Sequence, residues 1–161
     1  VIQSARLRVG EWADVEDDFS TLYKGLKRVY KRGRKGLQRT YESPAGENFH
    51  EWRKRVKYLW HQIRILHLIW PNMQKTFADE LHTLANYLGD EHDLVELQQT
   101  LTQQETFQIE EHTREILFAL IAERQEELRN AARPLGERIY VEKPSDFTDR
   151  MAAYWEISHV K

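Results

Sequence analysis

Three features of the 161-residue sequence predict an all-α fold. The chain has only seven Gly and four Pro, apolar residues recur three and four positions apart over most of its length, and no useful stretch alternates apolar and polar residues as a strand would. Hydrophobic residues make up 40% of the chain, with five Trp and seven Tyr, enough to build a core. We therefore predict a single helical domain over residues 1–161, an antiparallel bundle of long helices.

Capping and turn signals divide the first half of the chain into three predicted helices. The first is short and covers about residues 2–13. Asp17 or Asp18 caps the second, which runs to about residue 41. The turn signal Ser43-Pro44-Ala45-Gly46 follows. The third helix covers about residues 47–70 and stops before Pro71, because proline has no N–H to continue the hydrogen-bond ladder.

Four further helices are predicted in the second half. The fourth covers about residues 72–88 and ends at Gly89, a residue type suited to a left-handed C-cap. Asp90 then begins a fifth helix that reaches about residue 103. A sixth covers about residues 107–139, with a bend near Pro134, and a seventh covers about 145–159. The sequence shows no internal repeat and no linker between domains.

Composition indicates a reducing compartment and gives no sign of a membrane span. The chain has no cysteine, which excludes disulfides, thiolate catalysis and zinc-thiolate sites. No run approaches the roughly 20 apolar residues of a membrane helix, so we expect no membrane partner and a cytoplasmic protein. The sequence opens without Met and already at helical spacing, so we expect a processed product or a fragment of a longer protein.

Positive charge is concentrated in one segment. Between Lys24 and Arg64 lie 13 of the 24 Lys and Arg residues but only three acids, in a chain whose formal net charge is −2. The remainder of the chain is correspondingly acidic. This internal separation of charge indicates that the basic segment binds an anion.

On the third predicted helix, basic and histidine side chains form one stripe. On a helical wheel its members lie within about 80° of one another. They are His50, Lys54, Lys57, His61 and Arg64, with Arg53 at the edge. Apolar residues occupy a different arc, namely Phe49, Trp52, Val56, Leu59, Trp60, Ile63 and Trp70. No acid lies in the stripe, although like charges four residues apart destabilise a helix, so a bound polyanion would offset that cost.

The second predicted helix repeats this arrangement. One side carries Lys24, Lys27, Arg28, Lys31, Arg34 and Lys35, and the other carries Phe19, Leu22, Leu26, Val29 and Leu37. Because a short turn joins the two helices, we expect them to be antiparallel neighbours whose basic sides converge on a shared groove. Gly25, Gly33 and Gly36 suggest close approach of backbone or ligand there. Polyphosphate, nucleic acid or an acidic headgroup would suit these donors.

Three ordered motifs resemble the CHAD domain, an α-helical, histidine-containing family. Residues 25–35 are similar to the basic helix of the family with its Tyr-x-x-Gly-Arg element. Residues 49–59 are similar to its His-x-x-Arg-Lys-x-x-Lys-Tyr signature, and residues 88–94 to its Leu-Gly-x-x-x-Asp turn. The flanking helices agree in type, so the resemblance covers a signature region of about residues 19–97.

The resemblance implies a non-catalytic module that binds inorganic polyphosphate, without a cofactor or a metal. Complete CHAD domains consist of two pseudo-symmetric helical bundles, and this chain resembles the C-terminal half. The implied partner is therefore the missing N-terminal half or another copy of the chain, and the implied location includes polyphosphate granules. The matching positions imply phosphate contacts by Lys27, Arg28, Lys31, Arg34, Lys35, His50, Arg53, Lys54 and Lys57; the stripe alone adds His61 and Arg64.

Three other interpretations remain open at the level of sequence. The basic residues could be a solvated face paired with the acidic later helices. The ligand could be nucleic acid, although Tyr23, Tyr30, Tyr41 and Tyr58 are better explained as packing residues than as base readers. Finally, adjacent His92 and Asp93 with a distant His50 or His61 are reminiscent of metal-dependent HD-type phosphohydrolases, but no further His and Asp spacing completes a metal site.

Overall fold

The computed structural model describes residues 19–103 and 110–159, and within them every regular element is helical. Five α-helices pack antiparallel: α1 Ser20–Glu42, α2 Gly46–Ile65, α3 Pro71–Gln103, α4 Glu111–Ile139 and α5 Pro144–His159. A 3₁₀ turn, Leu66–Ile69, joins α2 to α3. The predicted all-α class is confirmed. The predicted helix over residues 2–13, the cap at Asp17 or Asp18 and the start of the sixth helix near residue 107 lie outside the described residues.

The helices are arranged so that α2 lies between α1 and α3. On its other side α1 packs against α5, and α3 packs against α4. A fully buried row on α2 forms the centre of the core, and each of its members is 0% exposed. These residues are Phe49, Trp52, Val56, Leu59 and Ile63. Burial of such large apolar side chains is what holds α2 in the middle of the bundle.

The connection between α1 and α2 follows the predicted turn. It consists of Ser43, Pro44 and Ala45. Asn48 Nδ2 donates to the carbonyl of Ser43 at 2.8 Å, and the hydroxyl of Thr40, itself buried, donates to the carbonyl of Asn48 at 3.1 Å. These two bonds brace the turn and fix α1 and α2 as antiparallel neighbours.

The predicted break at Gly89 is wrong. Residues 71–103 form one continuous helix of 33 residues, and among the described residues no glycine has a positive φ. Gly89 is buried in the interior of α3 because the Arg53 side chain packs over it: a Cβ at Gly89 would lie 3.2 Å from Arg53 Nε. Asp90 is therefore an exposed residue inside α3 rather than an N-cap, and the segment 88–94 is helix rather than turn.

Two residues assigned to apolar arcs are more exposed than predicted. Trp70 is 48% exposed, because α2 gives way after Ile65 to a 3₁₀ turn of about three residues per turn, which shifts the phase of the wheel. Leu22 is 38% exposed near the start of α1. With Ile65 it lines a small apolar pocket of about 120 Å³.

The glycines of α1 differ from one another. A Cβ at Gly33 would overlap the ring of Tyr140, with Cε1 2.5 Å away, and one at Gly36 would lie 2.8 Å from Trp52 Cδ1. The predicted close approach is therefore confirmed at these two positions, where the neighbour is protein. Gly25 has no atom within 4 Å of such a Cβ. Pro134 lies inside α4, which remains helical through Ile139.

Candidate anion-binding surface

Most cations of α1 are exposed and have no ion pair. Within the described ranges, no carboxylate lies within ion-pair distance of these six side chains. They are Lys24, Arg28, Lys31, Arg32, Lys35 and Arg39. An exposed cluster of one sign without counter-charges on the protein produces a local positive potential that attracts anions.

The remaining two cations of α1 lie on its α5 side. Arg34 Nη1 donates to the carbonyl of Glu142, just before α5, at 3.0 Å. Lys27 Nζ lies 5.5 Å from the ring centroid of Tyr23, whose hydroxyl donates to Asp149 of α5. Lys27 and Arg34, both in the predicted site, therefore stand on the flank of α1 that faces away from α2.

The stripe of α2 lies mostly on the opposite flank, toward α3. The His50 ring is 4.2 Å from that of His92, and Arg53 packs over Gly89, both residues of α3. Arg64 lies 4.8 Å from the ring centroid of Trp60, a residue that stacks on His82 of α3. The predicted basic residues of α1 and α2 therefore belong to one basic segment of the sequence, but in the structure they do not all line a single groove.

Lys54 and Lys57 differ in their electrostatic partners. Lys54 Nζ lies 2.6 Å from Glu51, which also reaches Arg55 at 3.2 Å. Glu51 lies outside the stripe on the helical wheel, but it is about one helical turn from Lys54 and Arg55, so its carboxylate reaches both. Lys57 is half-buried and has no ion pair among the described residues, and His61 is exposed beside Trp60.

The groove between α1 and α2 is lined by cations that the sequence analysis did not select. It has a volume of about 630 Å³ and receives Arg32, Lys35 and Arg39 from α1 and Arg55 from α2, with Glu42 and Glu51 beside them. Of these, only Lys35 belongs to the predicted site. The spacing of Arg28, Arg32, Lys35 and Arg39, at four, three and four residues, is the helical signal that could have identified this line.

A buried indole lies at the bottom of this groove. Trp52 is 0% exposed and lines the groove, and its Nε1 has no hydrogen-bond partner within residues 19–103 and 110–159. Its Cδ1 is the atom that a Cβ at Gly36 would strike. The two residues together set the close approach of α1 and α2 along the groove.

The local environment lowers the pKa of His50. Burial is the main cause, followed by His92 and Lys54, whose charges oppose protonation. His50 Nδ1 is buried and has no hydrogen-bond partner in the part of the chain that the structure describes. Near neutral pH the ring is therefore neutral in the free protein, and a nearby anion would favour its protonated, charged form.

The acids of the later helices are not used to neutralise the basic helices. No ion pair in the described part of the chain joins α1 or α2 to α4 or α5. The α4 acids instead pair locally, as Arg124 with Glu127 at 2.7 Å and Arg133 with Glu137 at 3.1 Å. Among the described residues, the basic face of α1 and α2 is therefore not paired with acids of α4 or α5.

The geometry required for an HD-type metal site is not present in the described ranges. No group of three or more His, Asp or Glu side chains there is placed to hold a metal ion. His92 meets His50 but pairs with Glu96 at 3.1 Å, while Asp93 is exposed. Separately, none of the described helices is long and apolar enough to cross a membrane.

Comparison with known proteins agrees with the helices that carry this surface. The CHAD domain family model matches residues 2–102, which include α1, α2 and nearly all of α3. Searches of curated proteins and of solved structures found no match. The family match covers more than half of the chain, and this chain belongs to the CHAD domain family.

Proposed function

We propose that this chain binds inorganic polyphosphate on the basic surface of α1 and α2 and catalyses no reaction. CHAD domains are polyphosphate-binding modules, generally without catalytic activity. The observation that carries the proposal is the row of exposed α1 cations that form no ion pair with any described residue. Their mutual repulsion is relieved when a polyanion binds, so part of the binding free energy comes from the strain of the free surface.

The proposed contacts combine the predicted residues with those that line the groove. The predicted set is Lys27, Arg28, Lys31, Arg34, Lys35, His50, Arg53, Lys54, Lys57, His61 and Arg64. The groove adds Arg32, Arg39 and Arg55. We propose that a linear anion runs along the groove, while the cations of the two outer flanks, toward α5 and toward α3, enlarge the positive field around it. Arginine forks and lysine ammonium groups suit phosphate oxygens.

A ligand without bases suits this surface better than nucleic acid. Tyr30 is fully buried, and Tyr41 is half-buried and donates to the carbonyl of Arg129 at 2.7 Å. Tyr23 is held by Asp149. Tyr58, 52% exposed, is the member of the four tyrosines that is available for stacking, and it lies 5.8 Å from the Arg55 guanidinium. One such residue gives little support for stacking successive bases.

We further propose a cytoplasmic location with association to polyphosphate granules. A second copy of the chain, or the other half of a complete CHAD domain, is the proposed partner that would close the surface into a channel. These proposals rest on family membership.

The test is a titration with long-chain polyphosphate and with single-stranded DNA of equal phosphate count, at about 0.15 M salt, where diffuse charge attraction is screened. We expect tighter binding of polyphosphate, weakened in the double variant Lys54→Ala with Lys57→Ala. Arg114→Ala with Arg124→Ala removes one partly exposed and one exposed cation from α4 and is the matched control. Equal binding of both polymers, or no effect of the Lys54 and Lys57 substitutions, would contradict the proposal.

A further inference from the structure

A second cationic cleft lies between the end of α2 and the first turns of α3. Its volume is about 370 Å³, and its wall includes Arg64, His67, Lys75 and His82. Of these four, Arg64 alone belongs to the stripe of α2. The cleft therefore begins where the stripe ends, and the other three residues played no part in the site described above.

The aromatic wall of the cleft holds one cation in a fixed position. Trp60 stacks on His82 with ring centroids 5.1 Å apart and 18° between planes. The Arg64 guanidinium lies 4.8 Å from the Trp60 centroid. A guanidinium over an indole keeps its N–H donors available at its edge, so Arg64, which lines the cleft, can donate to a ligand there. Lys75, at the rim, is paired with Asp79 at 2.7 Å.

The oxygen of a buried carboxamide in the cleft lacks a hydrogen-bond partner among the described residues. Gln74 is 1% exposed and lines the cleft. Its Nε2 donates to Met151 Sδ at 3.3 Å, but no described residue donates to its Oε1. Gln74 is also in the first turn of the 33-residue helix α3, where the positive end of the helix dipole favours an anion. An unmet buried acceptor beside cations indicates a ligand that carries both negative oxygens and an O–H donor.

A terminal phosphate has this combination of groups. Its second ionisation has a pKa of about 6, so near neutral pH it exchanges between a dianion and a monoanion with an O–H. A phosphate in the interior of a polyphosphate chain has two bridging oxygens and no O–H at that pH. The chemistry of the cleft therefore distinguishes the end of a chain from its middle.

We propose that this cleft binds a terminal phosphate group, with Arg64 and Lys75 holding its charged oxygens and Gln74 Oε1 accepting its O–H. The group is either the end of a polyphosphate chain or a free phosphate monoester. In the first case the proposal rests on the proposed function, because Arg64 connects the cleft with the stripe of α2. His67 and His82 add imidazole N–H donors to the wall of the cleft.

The test compares long-chain polyphosphate with free ends, the same polymer with both ends capped as N,N-dialkyl phosphoramidates, which have neither an O–H nor an N–H donor, and phenyl phosphate as a monoester. Wild-type protein is expected to bind the free-ended polymer several-fold more tightly than the capped one. The preference should disappear in His67→Ala with Lys75→Ala. It should persist in His112→Ala with Arg114→Ala, which removes the same two residue classes at the far end of the bundle, in the first turn of α4.

A second variant tests the cleft without changing its charge. Gln74→Met retains the volume but removes the acceptor, and it should reduce the end preference while a thermal melt shows a folded protein. Equal affinity for free and capped ends, or an end preference that survives in both cleft variants, would overturn the proposal. If no polyphosphate binds but phenyl phosphate does, and the cleft variants lose it, the cleft assignment holds and the proposed function fails.

Discussion

The imidazole rings of His50 and His92 lie 4.2 Å apart, with 42° between their planes, across the interface of α2 and α3. His92 Nε2 is 3.1 Å from Glu96, while His50 has Lys54, Glu51 and Arg53 near it, and of these three Glu51 alone favours the charged form of His50. Burial, His92 and Lys54 lower the pKa of His50. His50, which is itself a proposed phosphate contact, is therefore neutral in the free protein near neutral pH.

This arrangement predicts proton uptake on binding. At alkaline pH, His50 is neutral in both the free and the bound protein. As pH falls, the bound anion favours the charged form of His50, so the bound protein takes up a proton at a higher pH than the free protein does. Affinity for polyphosphate should therefore increase as pH falls below neutral. Calorimetry in two buffers of different ionisation enthalpy measures the uptake. His50→Gln should take up fewer protons on binding polyphosphate, and a proton uptake equal to that of wild type would contradict this role for His50.

The same lowered pKa makes the free protein less stable in mild acid. Unfolded chains protonate histidine near pH 6.5, whereas folded His50 resists protonation, so this residue favours unfolding as pH falls below about 6.5 and contributes nothing above it. Urea unfolding of wild type and His50→Gln at about pH 7.5 and 5.5 measures the difference. The substitution should reduce the loss of stability in acid; an equal loss in both proteins would exclude His50 as its source.

Glu51 competes with the ligand for two cations. Because it pairs with Lys54 at 2.6 Å and with Arg55 at 3.2 Å, Glu51→Gln should release both and remove a negative charge from the groove. We expect a roughly two- to fivefold gain in polyphosphate affinity at about 0.15 M salt, with a stability change below about 1 kcal/mol. Glu47→Gln, an equal charge change at an exposed residue of α2, is the control. An equal gain in both variants would indicate a general charge effect rather than release of Lys54 and Arg55.

Two glycines of α1 should respond to alanine in opposite directions. Gly33→Ala places a methyl group against Tyr140 and should lower the free energy of unfolding by about 1–3 kcal/mol. Gly25→Ala meets no atom within 4 Å and should raise it by about 0.5–1 kcal/mol, because alanine is the better helix former. Urea unfolding at neutral pH measures both. A stabilising Gly33→Ala would show that the α1–α4 contact is looser than described.

A buried ion pair connects α3 to α4. Glu91 is 1% exposed and accepts from Arg129 Nη2 at 2.6 Å and Nε at 3.1 Å, and the Arg129 guanidinium also lies 4.7 Å from the Phe49 centroid. Arg129→Ala would leave Glu91 buried and unpaired, so we expect a loss of about 3–5 kcal/mol in unfolding free energy. Arg124→Ala breaks the exposed pair with Glu127 and should cost less than about 1 kcal/mol. Similar losses in the two variants would contradict the burial of Glu91.

The sequence predicted the helices well where local signals decide them. The turn at Ser43, Pro44 and Ala45 was found because proline and glycine mark it within the segment itself. Gly89 carries the same local signal but has a different role, since the Arg53 side chain of α2 packs over it. A residue type that fits both a C-cap and a close helix–helix contact cannot be assigned without knowing which partner approaches.

The candidate site was only partly predictable for a related reason. A helical wheel groups side chains on one helix but does not show which neighbour that side faces. His50 and Arg53 were correctly grouped, yet they face α3 rather than the groove. Arg32 and Arg55 were outside the selected stripes, and packing of α1 against α2 brings them together.

The central claim, that α1 and α2 bind polyphosphate, is tested most directly by isothermal titration with long-chain polyphosphate at about 0.15 M salt. The variant Lys31→Gln, Lys35→Gln, Lys57→Gln is compared with wild type and with Arg114→Gln, Arg124→Gln, Arg138→Gln on α4. The account predicts a large loss of affinity in the first variant and little change in the second. Equal losses in the two, or none in the first, would contradict it.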